Sequence, residues 1–238
     1  MESELVNEIF STTRRIQDLV QTLANTINAA LSGLSFLLGW IADRVRDAWN
    51  YFMGKLNEFW SWLNHILSNM GDADAVTRAA NGWSDDVAGP VTKEVGNADA
   101  GLLLVDDKWT GDAADLYKQI IPLQKTALDK IKTGFTDGIS LALSQLRTAI
   151  TTFKGALIVA LAALAAGVVG AIFSADTIFG IPAVPFIAAG AVAICSAAIY
   201  YGVTTLQSAN ASANTQLRQK LNDSTGYPGG KWPTGVLH

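Results

Sequence analysis

The sequence predicts an all-α fold, on three observations. Apolar residues recur at helical rather than alternating spacing along most of the chain. Two such runs meet at a very short connection around Trp109-Thr110-Gly111. The region from Gly155 to Val203 carries one charged residue, Asp176, between two segments as long as membrane-type helices.

The first element covers about Glu2 to Leu67. From Ile16 through Leu23, Leu34, Val45, Phe52 and Phe59 to Ile66, apolar side chains follow one another every ~3.6 residues, the α-helical period. A long amphipathic N-terminal helix is expected, with Gly33, Gly39 and Gly54 as places to bend or break. Trp40, Trp49, Trp60 and Trp62 suit a packed core or an interfacial helix, and core packing is the expectation. Ser68 to Asp72 reads as a loop, with Asp72 as N-cap of the next helix. That helix aligns Val76, Ala80, Trp83, Val87, Val91, Val95, Leu102 and Val105, with a kink at Pro90. After Gly111, Asp112 caps a third run, Leu116, Ile120, Leu128, Phe135, Ile139, Leu146 and Phe153, bent at Pro122. The short link requires the two runs to pack antiparallel.

The third run passes through Lys154 into the uncharged stretch from Gly155 to Ala175. At ~1.5 Å per residue this arm is about 32 Å long, close to the ~30 Å hydrocarbon thickness of a bilayer. Asp176, Gly180, Pro182 and Pro185 make the reversal, and Phe186 to Val203, containing Gly190, forms the second arm. Gly167/Ala171 and Ala166/Gly170 are small-x-x-x-small pairs that permit close helix contact. Beyond Thr204 the chain stays helical to about Leu221, and the Gly- and Pro-rich end from Thr225 to Gly235 is expected to be disordered. The expected divisions are therefore 1–70, an N-terminal amphipathic segment; 71–153, a helical hairpin; 154–206, an apolar hairpin; and 207–238, a helix end and tail.

Composition narrows the function. Of 238 residues 50% are hydrophobic and 16% charged, and the mean hydropathy is +0.25, too apolar for a disordered chain. Seventeen basic against 21 acidic side chains, with no basic block, argue against nucleic acid as a partner. The single cysteine, Cys195, excludes an intrachain disulfide framework. His65 and His238 have no neighbours at ligand spacing, so no metal or cofactor is expected. Asp85-Asp86 and Asp106-Asp107 read as solvated caps rather than paired catalytic carboxylates, and no phosphate loop or nucleophile motif is present. A non-enzymatic protein without catalytic residues is expected. The acidic start, Met1-Glu2-Ser3-Glu4, does not read as a cleavable secretory signal.

The Trp109-Thr110-Gly111 turn, followed by Ala113, Ala114 and Tyr117, resembles the Trp-x-Gly (WxG) family of helical hairpins exported by ESX, or type VII, secretion systems. The resemblance covers about Asp72 to Phe153. It implies that Trp109 and Gly111 form the family turn motif, and it implies secretion without a Sec signal. A Tyr-x-x-x-Asp/Glu export signal is missing: Tyr51, Tyr117, Tyr200, Tyr201 and Tyr227 are followed four places on by Lys55, Ile121, Thr204, Thr205 and Lys231. Export would then require a helical partner chain or a variant signal.

The expected function is a secreted or surface-associated helical protein that inserts into a lipid bilayer, as a homo-oligomeric pore-former or an anchor. Arg147 and Lys154 precede the apolar hairpin, Arg218 and Lys220 follow it, and Asp176 lies at its tip, where protonation would ease transfer across lipid. Two other readings stay open: a constitutive two-span membrane protein with a helical soluble domain, and a soluble assembly module that buries the hairpin between subunits.

Overall fold

The structure, a computed structural model, describes residues 2–32, 39–99, 108–175 and 180–235, and among the described residues every regular element is a helix. The elements are α1 (Glu2–Ser32), α2 (Gly39–Asn69), α3 (Ala73–Gly82), α4 (Gly89–Asn97), α5 (Asp112–Lys130), α6 (Asp137–Ala175) and α7 (Val184–Asn222). The all-α expectation holds. The chain forms two compact units, residues 1–72 with 149–206 and residues 73–148 with 207–238.

In the first unit the N-terminal segment is two helices of 31 residues, α1 and α2, on either side of residues 33–38. Each has one apolar stripe. On α1 the buried positions are Ile9, Ile16, Val20, Leu23 and Ile27; on α2, Val45, Phe52, Leu56, Phe59, Leu63 and Ile66 are buried at alternating steps of three and four, with partly buried Trp49 in register. These stripes share one apolar cluster with the inner face of the hairpin, Phe153, Leu157, Leu161, Leu164 and Val168 of α6 and Val184, Val192, Cys195 and Ile199 of α7. The N-terminal segment and the apolar hairpin are thus one packed body. Trp49, Trp60 and Trp62 pack against the cluster as expected, whereas Trp40 is 63% exposed, with Arg44 over its ring at 6.0 Å.

The second unit corrects several local expectations. Pro90 does not simply kink a helix: a π-helical stretch, Trp83–Ala88, precedes it, and α4 starts with the proline in its first turn. Proline lacks an N–H and its ring crowds the carbonyl four residues back, and the wider turn relieves that crowding. Asp85 and Asp86 lie within this stretch, exposed, and are not caps. The predicted run to Val105 ends at Asn97, where the Ala98 and Asp99 amides donate to Glu94 and Gly96 carbonyls at 2.9 and 3.2 Å. Leu102, Val105, Asp106 and Asp107 lie outside the described residues.

α5 runs on through Pro122 and meets a second π-helical stretch, Ile131–Thr136, where the buried Thr136 hydroxyl donates to the Ile131 carbonyl at 3.1 Å. The two π stretches touch each other. The tail is not disordered from Thr225 to Gly235. Lys130 pairs with Asp223, the Tyr227 hydroxyl donates to the Ala127 carbonyl at 2.9 Å, and the Phe135, Tyr227 and Trp232 rings stack in series at 6.4 and 6.3 Å. Gly226 sits at φ +89°, where a Cβ would stand 3.3 Å from the Thr126 carbonyl oxygen, so glycine is needed for the chain to lie against α5.

Candidate membrane-inserting hairpin

α6 carries the helix unbroken from Asp137 through Lys154 to Ala175, Ile181–Ala183 forms a 3₁₀ turn, and α7 returns from Val184 to Asn222. Both helices are long and apolar enough to cross a membrane, and only 39% and 33% of their most apolar windows are buried. A core helix of a soluble protein would have most of that window inside.

The two arms have two faces. The inner face joins the cluster with α1 and α2. The outer face carries Val159, Phe173, Phe186, Ile194 and Tyr201, between 66% and 74% exposed. Charged residues are missing from both faces over the described part of the arms, 155–175 and 180–203. Exposed apolar side chains gathered on one face are the kind of surface that an interaction partner or lipid covers.

Close approach of the two helices depends on glycines, most tightly on Gly167 and also on Gly202, whose Cβ would stand 3.0 Å from Phe153 Cδ2. A Cβ on Gly167 would stand 2.4 Å from the Cβ of Ala191, and its pair residue Ala171 is fully buried. The second predicted pair behaves differently: Ala166 and Gly170 are exposed, and a Cβ on Gly170 meets nothing within 4 Å. Gly155 and Gly190 also face open space. Pro182 is exposed in the 3₁₀ turn, Pro185 is buried in the first turn of α7, and Val203 packs partly buried against the core. Asp176 lies outside the described residues.

Lys154, one of the basic residues that flank the hairpin in the sequence, is 1% exposed. Its ammonium pairs with the Glu2 carboxylate and donates to the Gly71 carbonyl at 2.8 Å. Burial pushes Lys154 below the ordinary lysine value. Three separate segments therefore meet at one charge: the first turn of α1, the corner after α2, and the root of the apolar arm. Gly71 makes that corner at φ +79°, with Ile150 Cδ1 3.1 Å from where a Cβ would be. Sequence reasoning missed this cluster, because nothing in linear spacing joins residues 2, 71 and 154. A groove of ≈ 510 Å³ lies between α2 and α7, where Ala189, Ala193 and Ala197 face the larger Phe59 and Trp62.

In the second unit the Trp109 ring, 44% exposed, stacks on Tyr117 at 5.4 Å, and Gly111 is the N-cap of α5 at φ +103°. Gly111, not Asp112, is the cap; its carbonyl accepts from the Ala114 and Asp115 amides at 2.8 and 3.1 Å, and Asp112 is the first helical residue. The positive φ explains why glycine stands there.

No group of three or more His, Cys, Asp or Glu side chains is placed to hold a metal among the described residues. No protein-family model, curated protein or solved structure matches the chain.

Proposed function

We propose that the protein is a non-catalytic, membrane-inserting helical protein, which keeps one face of an apolar hairpin covered by α1 and α2 until a bilayer replaces them. The observation that carries this reading is the hairpin itself: two charge-free arms of spanning length with an outer face already uncovered. Burial of apolar surface stabilises by ~25 cal/mol per Å², so transfer of that outer face into lipid supplies the driving force. Tyr200 and Tyr201, both exposed near the root of the second arm, suit the polar-apolar boundary of a membrane. The Trp109-Thr110-Gly111 turn, with its ring contact to Tyr117 and left-handed Gly111, supports a type VII-exported hairpin as the route by which the protein leaves its cell.

Insertion as an oligomer would permeabilise the bilayer; insertion as single hairpins would anchor the soluble helices to it. Flotation with lipid vesicles and release of a trapped dye separate these outcomes. The proposal expects the purified protein to float with vesicles and resist alkaline extraction. A protein that stays in the dense fraction at every lipid composition contradicts it.

A further inference from the structure

The cluster at Lys154 points to a specific exchange of partners, an inference that rests on the membrane reading above. Lys154 is the last charge before 21 uncharged residues, and its ammonium is almost wholly buried. A buried ammonium needs a counter-charge, and in the folded protein Glu2 supplies it, with the Gly71 carbonyl as a second acceptor. When the ~32 Å arm fills the hydrocarbon layer, residue 154 comes to the level of the lipid phosphates. Lysine stems lie along apolar surface while the ammonium reaches the interface. Glu2 cannot follow α6 into that environment as a fixed partner, because α1 carries Glu4, Glu8, Arg14, Arg15 and Asp18 and has only one apolar stripe.

We propose that Lys154 is a lipid-phosphate site whose occupant in the closed protein is Glu2, so that an anionic headgroup takes the ammonium as α1 leaves the hairpin. The pair is then both latch and ligand site. An acidic phospholipid supplies the phosphate and the apolar layer together, and a dissolved phosphate supplies only the first.

The native Cys195 thiol, 1% exposed on the face that α1 and α2 cover, reports opening in solution. Glu2→Gln should raise its rate of labelling by a water-soluble maleimide by about a hundredfold without vesicles, whereas soluble glycerophosphate should leave the wild-type rate unchanged. Vesicles of zwitterionic lipid with increasing phosphatidylglycerol should bind the wild type progressively better. Lys154→Met, checked for native helicity, should lose most of that dependence while still binding, and Lys154→Arg should restore it. Unchanged Cys195 labelling in Glu2→Gln overturns the latch. An identical phosphatidylglycerol dependence in Lys154→Met and wild type overturns the phosphate site while leaving insertion standing. Failure of every variant to bind any vesicle overturns the membrane reading and the phosphate site with it.

Discussion

At the scale of single residues, the buried Lys154 and the partly buried Lys130 behave as opposites. Lys154 sits at 1% exposure with burial pushing its ionisation down, held by Glu2 and Gly71. Removing only the counter-charge leaves an uncompensated ammonium inside the protein, a loss of about 3 kcal/mol, at the low end because Glu2 keeps 13% exposure. Glu2→Gln should therefore lower the denaturation midpoint clearly, and adding Lys154→Met should recover part of the loss, read as a positive coupling in a double-mutant cycle. Lys130 is different: its partner Asp223 lies at the surface of the second unit, its carboxyl held well below the usual range by the Lys130 hydrogen bond and then by Thr225. An acid with a depressed folded value stabilises fully above its unfolded pKa of ~3.9 and loses that contribution as pH falls further. The Tyr227–Trp232 stack should thus stay intact at pH 5 and loosen only well below pH 4, as followed by tail fluorescence; release between pH 5 and 7 would exclude Asp223 as its anchor.

At the scale of elements, the arms of the hairpin test packing directly. Gly167→Ala places a methyl 2.4 Å from Ala191 and must push α6 and α7 apart, a cost of about 1–3 kcal/mol. Gly170→Ala meets open space and gains helix propensity, so it should be neutral or stabilising by roughly 0.5–1 kcal/mol. Gly167→Ala should lower the thermal midpoint and Gly170→Ala should not; equal losses would show that the arms do not meet at Gly167. Elements of this length were legible from sequence because the 3.6-residue period runs through them, from Ile9 to Ile27 and from Val45 to Ile66. The run through Lys154 into the apolar arm was legible for the same reason. What was not legible depends on partners distant in sequence. The tail from Asp223 to Trp232 has the composition of a disordered end, yet Lys130, Ala127 and Phe135 hold it. The π turn before Pro90 was hidden because periodicity marks where proline disturbs a helix, not how the preceding turn widens to accommodate it. Of the candidate site, the arms and Gly167 were readable, whereas the seat of Lys154 was not, since its partners are 152 and 83 residues away.

At the scale of the whole molecule, the apolar excess of the composition resolves into a hairpin with two unlike faces. One face is satisfied within the first unit by stripes on α1 and α2, which cover it as the second layer of a helical bundle would. The other, with Val159, Phe173, Phe186 and Ile194, is exposed, and it is the face that the proposed insertion would bury in lipid. Under the proposed function, α1 and α2 shield the inner face and the outer face is the one that lipid would cover. The decisive measurement is the environment of the outer face when vesicles are added. An environment-sensitive fluorophore on Val159→Cys, in a Cys195→Ala background, should shift to shorter wavelength and become shielded from an aqueous quencher as the protein binds. A label that stays fully open to the quencher on vesicle-bound protein would contradict insertion of the hairpin.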